Sequence, residues 1–597
     1  MQNAVSYEGH LAITGQDTGT KASLLERSVL ALAVNRTFRY GRNKTRPPFR
    51  EISLSFANAE EEDYFRSQNA QGGHLYKKVR SQRNDGLLVA VGGILHFIRL
   101  EGTTGIVTRI NDGLEMSSDA EKFYFCQLEE WVYVQDGVSK PLFWNGLATP
   151  TFSGWPDQKQ MPTGTIMAAA HGRVFVANQF NQIVASDIIY GNGFTRTDNP
   201  QNFTETEYWQ EGGTFGVVTG LGRITGMAVS SVINRTVNGD GELQVFCENG
   251  AMRLNVAIPR ITWKDSNIQT VSLRGVGCAS DRSLVLINND IWFKSHDGWQ
   301  TLINTSYGFD NRVSVKMLSK EANRWLQSET ASLRKFASHI YFDRRLLGST
   351  SPVSIVSDNV RHNYSEGILS LDLAEATTVI QGGQWDGLWT GIRPTVMLEG
   401  IVDGAKRGFA MSYDKDGVNR LYELGSEDGF DEADGAVRKQ QWFYITKSFS
   451  WVEPQTSGPY LTKRLADAQI FADEIMGSGS VGYQFKPARE PYWFTGGEPQ
   501  DVGVNVGGEF AGYGYSEVFF PSPDDQCGRL DNNTASGRQF QFRVFGEGVM
   551  EIDSARFGFR QPNEEADVTT TCDKNLVVES GDNMIAGLGD FDYTIIT

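Results

Sequence analysis

One short pattern recurs along most of this chain and limits what it can fold into. "DGLLVAVGGILHFIRL", "EEWVYVQDGVSKPLFWNG", "AAAHGRVFVANQFNQIVASD", "ELQVFCENGAMRLNV", "NNDIWFKSHDGWQTL" and "ASHIYFDRRLLG" each set a strand-forming run beside a Gly, Asn or Asp turn, usually with a second strand after it. Within them Trp131, Val174, Leu243, Trp292 and Ile340 are separated by 43, 69, 49 and 48 residues. Three of these spacings match the roughly 40–50 residues of a propeller blade, and the long one has room for an insertion. A lone four-stranded blade cannot bury both of its faces, whereas blades stacked about an axis bury one another, with aromatic side chains filling the wedges between them. The stretch 86–440 is therefore expected to be a β-propeller-like domain of about five to eight blades.

Composition agrees with an all-β chain. Its 597 residues include 64 Gly, 35 Phe, 20 Tyr and 13 Trp, a mixture suited to turns and packed strands. The flanks differ from the repeats. Residues 1–85 carry Arg36, Arg39, Arg42, Lys44, Arg46 and Arg50 around Pro47 and Pro48, which forbid a helix, so an extended N-terminal arm is expected there. It is either a docking segment or a surface loop of solvated arginines. The run 318–336 spaces Leu318, Ala322, Trp325, Leu326, Leu333 and Phe336 along one helical face behind Ser319 as N-cap. That helical insertion covers the chain's own core or serves as a knob for a neighbour. Residues 441–562 read as short alternating strands of a β-sandwich-like domain, and 563–597 as an acidic tail without strong periodicity.

The segment "INNDIWFKSHDGWQTL" is the place where architecture and chemistry compete most directly. His296 and Asp297 side by side suggest a proton relay or half a metal site. Alternation of Ile291 and Phe293 against Trp292 and Lys294 is instead the period of a strand, and Asp297-Gly298 supplies a turn before a returning strand at Trp299. Trp292, Asp297, Gly298 and Trp299 are assigned to a blade hairpin.

Charge and motif content exclude several function classes. With 55 Lys and Arg against 72 Asp and Glu, the net charge is −17, the wrong sign for sequence-specific nucleic-acid binding. The five cysteines form no CxxC pair, and the seven histidines form no HExxH, HxH or helical pair, so no metal site or cofactor is expected from them. Neither a phosphate loop nor a nucleophile elbow is present, and "GGTFGVVTGLGRITG" reads as strand, loop and strand. No signal peptide and no apolar run long enough for membrane insertion is visible. Carboxylates cluster in "DKDG" from Asp414 and in "SEDGFDEADG", where Asp428, Asp431, Glu432 and Asp434 form an acidic loop. Calcium, a channel lining or plain solvation would each use such a loop, although the EF-hand spacing is absent. A propeller glycosidase would need two carboxylates facing across the axial funnel.

The order of pieces carries a resemblance. An Arg-rich "NRTFRYGRNKTRPPF", then "RGVGCASDRSLVLINNDIWFKSHDGWQTL", then a helix and finally "GRQFQFRVFGEGVMEIDSARFGF" resembles the tail nozzle, or tail tubular, proteins of short-tailed bacteriophages. The part from Asp290 to Leu302 is similar to that family's D-[VIL]-W-F-x-S-x-D-G-x-x-x-L strand turn. The resemblance implies a non-enzymatic structural virion protein, assembled in the host cytoplasm into a homo-oligomeric ring, commonly a hexamer, in the tail below the tail adaptor. Genome DNA would be retained in and ejected through its central channel, whose acidic wall repels phosphate. Arg36 to Arg50 would then dock the adaptor. A propeller lectin or glycoside hydrolase, and a receptor-binding tail protein, are the alternatives.

Overall fold

A computed structural model describes residues 6–10, 13–78, 85–146, 149–188, 201–204, 213–230, 241–258, 260–263, 268–303, 305, 318–351, 353–357, 360–364, 367–374, 383–413, 417–450, 463–487, 493–503, 514–521 and 536–560. The Asp414 end of "DKDG" and the tail from 563 lie outside them.

The fold is all-β, with a β-propeller at its centre. Ala70–Tyr76, Gly86–Val91, Ile94–Glu101 and Thr104–Arg109 form the first blade as an antiparallel meander. Blades starting at Tyr124, Gly164 and Ile224 follow with four strands each, then a three-stranded blade of Val285–Ile287, Asp290–Lys294 and Trp299–Thr301. The last blade contains Arg393–Val402, Ala405–Tyr413 and Asn419–Leu424. These six sheets stand as blades. His339–Phe342, Arg345–Thr350, Gly367–Asp372 and Gln384–Trp389 form one end of a larger sheet, and His339–Phe342 lies against Val285–Ile287 and Arg393–Val402.

Apolar clusters between facing sheets hold the ring closed. Leu88 and Ala90 of the first blade pack on Val132 and Val134 of the second, and Phe175 of the third on Val245 of the fourth. Val89 and Ile98 of the first blade meet Phe409 and Met411 of the last, which completes the circle. Each such interface removes two half-apolar faces from water, which neither sheet could achieve alone.

The N-terminal segment is extended, as its prolines require, but it is not an appendage. Phe49–Glu51 adds an outer strand to the last blade, while Ser53–Ser55 runs parallel to Thr104–Arg109 on the first. The ring is thus closed by strands from the start of the chain, and the expected boundary at residue 85 falls inside the first blade. Just before, Leu32–Val34 lies between Gln384–Trp389 and Gln441–Ile445 and joins the propeller to the C-terminal unit in one continuous sheet. Gly387 permits this junction: at φ +107° its missing Cβ would lie 2.4 Å from the Ala33 carbonyl oxygen.

The C-terminal unit differs from the short strands expected. Two long antiparallel strands, Lys463–Pro487 and Gln539–Arg560, dominate it. Their register shifts between Asp473 and Ser480, beside Glu474 at φ 48° and Gly477 at φ 67°. Such bulges turn a strand through a corner without ending it, so sequence that reads as a turn is a bend. The bend brings the ends of one strand face to face: Phe542 stacks on Phe557 with ring centroids 3.5 Å apart. Two layers result, with Tyr483, Phe485, Val544 and Ile552 between them.

The run 318–336 is broken into three pieces, Lys320–Ala322, Asn323–Gln327 and Ala331–Phe336. Ser319 does not cap it; its hydroxyl accepts from the Trp299 amide at 3.0 Å. Glu329 is drawn into the core by Lys294, and the Thr330 amide turns to Ser351, so the helical path ends. Leu318, Ala322, Trp325 and Leu326 cover the chain's own core.

Candidate functional site

The basic segment and the acidic loop, two separate features of the sequence, are each other's partners. Arg46, whose side chain is fully buried, holds Asp431 through two bonds of 2.9 and 2.6 Å. It also donates to Asn35 Oδ1 and to the carbonyls of Pro47 and Thr390, and its guanidinium lies 3.8 Å from the Phe49 ring centroid. Planar fork geometry makes arginine suited to this fully hydrogen-bonded burial. Asn35 beside it satisfies its whole amide, accepting from Arg46 and the Thr390 amide and donating to Thr390 Oγ1 and the Gln441 carbonyl.

The other members repeat the theme. Lys44 pairs with Asp428 at 2.9 Å and with Glu474, Arg42 with Glu551 and Glu474, and Arg50 with Glu432 at 3.8 Å. Asp434 is held by Arg420 and Arg438. Arg39 reaches Asp372 at 2.6 Å and Asp343 at 3.1 Å. Arg36 is buried over Trp442 and bonds to Asn43, Thr45 and the Met550 carbonyl; burial pulls its pKa down to about 9, so it stays charged at neutral pH.

The expected docking segment Arg36 to Arg50 is thus largely engaged within its own chain, and it is not a loop of solvated arginines. Arg36 and Arg46 are inaccessible, and only Arg42 and Arg50 keep 44% and 47% of their side chains exposed. The acidic loop likewise faces cations of its own chain, and among the described residues no group of three His, Cys, Asp or Glu is placed to hold a metal ion.

A second polar cluster lies beside the N-terminal strands. Arg345 approaches Asp386 at 3.3 Å and Asp372 at 3.4 Å, while Asp386 also accepts from the Phe38 amide and Ser370 Oγ. Burial raises the pKa of Asp386 to about 6.

Trp292, Asp297, Gly298 and Trp299 lie in a blade hairpin. Lys294 pairs with Trp299, so the loop is the four residues Ser295 to Gly298, not a two-residue turn. The Ser295 hydroxyl donates to the Gly298 carbonyl and accepts from the amides of Asp297 and Gly298. His296 is exposed and makes no relay with Asp297; its carbonyl accepts from Arg334.

A cavity of about 480 Å³ opens at the end of the propeller where Lys294, Arg282 and Arg334 meet the starts of the inner strands. Lys294 Nζ lies 2.6 Å from Glu329 Oε1, both side chains being at most 2% exposed. Arg282 reaches the carbonyls of Gln71, Phe123 and Thr395, on strands or loops of three different blades. Sequence reading missed these residues because the blades bring positions 71, 123, 282 and 395 together only on closure. The one local signal was Lys294, a lysine inside an otherwise apolar strand.

Ring, shared sheet and bent outer unit define the class: an all-β propeller protein whose second β-body shares a sheet with the strands from His339 to Trp389. The sequence matches no protein-family model and no curated protein. Among solved structures, YCF48 from Cyanidioschyzon merolae aligns with 63% of this chain and 99% of its own, at 13% identity and a TM-score of 0.33. The WD40 propeller domain of Doa1 aligns over 60% and 97% at 9% identity and a TM-score of 0.30. PorZ, a surface component of the type-IX secretion system of Porphyromonas gingivalis, aligns over 68% and 54% at 12% identity and a TM-score of 0.29.

Proposed function

We propose that this chain is a structural subunit of a short-tailed bacteriophage tail nozzle, assembling as a ring below the tail adaptor and forming a conduit for genome retention and ejection. The observation that carries the reading is the internal bracing. Arg42, Lys44 and Arg46 tie the N-terminal strands to the last blade and to the C-terminal unit, and the two bodies share a sheet. Such bracing suits a part that bears load. Arg282 ties the first and last blades together, so this reading puts the conduit between copies and not through the propeller. The net charge of −17 favours DNA sliding past without sticking. Any adaptor contact of the basic segment falls to Arg42 and Arg50.

Native mass spectrometry and negative-stain imaging, with and without co-expressed tail adaptor, test the proposal. A ring with an axial hole is expected. A strict monomer under both conditions would move a glycan-binding or glycan-cleaving propeller to first place, the reading favoured by the cavity; cell binding from an outer position on the virion would favour a receptor-binding tail protein.

A further inference from the structure

Arg282, Lys294 and Arg334 line this cavity together with the carboxylates Asp119 and Glu121. Lys122 and Asp281 pair at 2.7 Å, and Lys335 and Glu121 at 2.6 Å, so those charges close on themselves. Arg282, Lys294 and Arg334 then remain against two carboxylates, the buried Glu329 and the exposed Asp119. Lys294 occupies one oxygen of Glu329, and Arg334 Nε stands 3.9 Å from the other, too far for a hydrogen bond. Both Glu329 Oε2 and Arg334 Nε are buried without a hydrogen-bond partner. Arg282 donates only to backbone carbonyls, and among the described residues no carboxylate lies within ion-pair distance of it. With three cations against one buried and one solvated carboxylate, the excess positive charge would attract an entering anion to the arginines.

We infer that this cavity binds a small ligand through a single oxyanion headgroup, a carboxylate or a phosphate, seated against Arg282, Lys294 and Arg334. Leu333 and Phe336 line the same cavity and offer an apolar wall for the ligand's body. At about 480 Å³ the space is within the usual range for small-molecule sites, and a bare phosphate would fill only a small part of it. Each subunit contains the whole site, so the inference does not depend on ring assembly.

Isothermal titration calorimetry on the full chain tests it, with phenyl phosphate, benzoate and the uncharged benzyl alcohol as probes. Saturable one-to-one binding of at least one anion is expected, with no response to the alcohol, and the stronger anion identifies the headgroup. Inorganic phosphate should displace phenyl phosphate if phosphate is preferred, and acetate should displace benzoate if carboxylate is. Arg334→Gln or Arg282→Gln, with an unchanged melting temperature, should weaken binding about tenfold or more, the size of one charge-assisted hydrogen bond. Silence of both anions on the wild-type chain at millimolar concentration would overturn the inference without any variant. Equal binding of the alcohol, or full affinity in both arginine variants, would overturn it as well.

Discussion

Single residues separate two kinds of charge in this chain. Arg46 and Arg50 are four positions apart and look alike in the sequence, yet one is sealed against Asp431 and the other is half exposed. Arg46→Met strands Asp431 and should cost about 3–5 kcal/mol in chemical denaturation. Arg50→Ala should stay within about 0.5 kcal/mol. Asp386 gives a pH signature. Its folded pKa, raised to about 6, exceeds the ordinary value of 3.8, so the folded state binds the extra proton between those limits. Its contribution, about 3 kcal/mol, is complete below the lower limit and is lost as pH rises through the upper one. Asp386→Asn cannot ionise, so its stability should fall less than that of the wild type between about pH 4 and 7 in denaturant titrations at each pH. Neither distinction was legible beforehand, because burial and partner choice are set by segments hundreds of positions away.

Elements were legible where local pattern and environment agree. The hairpin around Trp292 and Trp299 follows from alternation and a turn, and the strand-loop-strand from 212 to 226 appears as Thr214–Gly216 and Ile224–Ser230. The run 318–336 has helical periodicity, but a buried ion pair of Lys294 with Glu329 overrides it. The outer unit was read as many short strands because Gly477 and Gly548 resemble turn residues; bulges let two strands continue through the corner. Gly387 is the sharpest test at this scale. Gly387→Ala places a methyl against the Ala33 carbonyl and requires a positive φ, so a loss of at least about 1–3 kcal/mol is expected, with faster amide exchange at the amides of Leu32–Val34.

At the scale of the whole molecule, the first fifty residues close the structure. Removing residues 1–51 would leave Asn419–Leu424 without its outer neighbour and separate Gln384–Trp389 from Gln441–Ile445. Exposed edges of that kind pair with other chains, so the truncated protein should elute as aggregates in size-exclusion chromatography, whereas a mere arm could be cut away harmlessly. The sequence by itself determined the all-β class, the blade-like repeat and the hairpins within it, because strand period and turn chemistry are local. Only the tertiary structure decided that the basic segment meets the acidic loop, that the N-terminal strands close the ring and join both bodies, and that Arg282, Lys294 and Arg334 gather around one cavity. Those outcomes depend on closing long loops around a common core, and no local pattern records which distant strand will lie alongside.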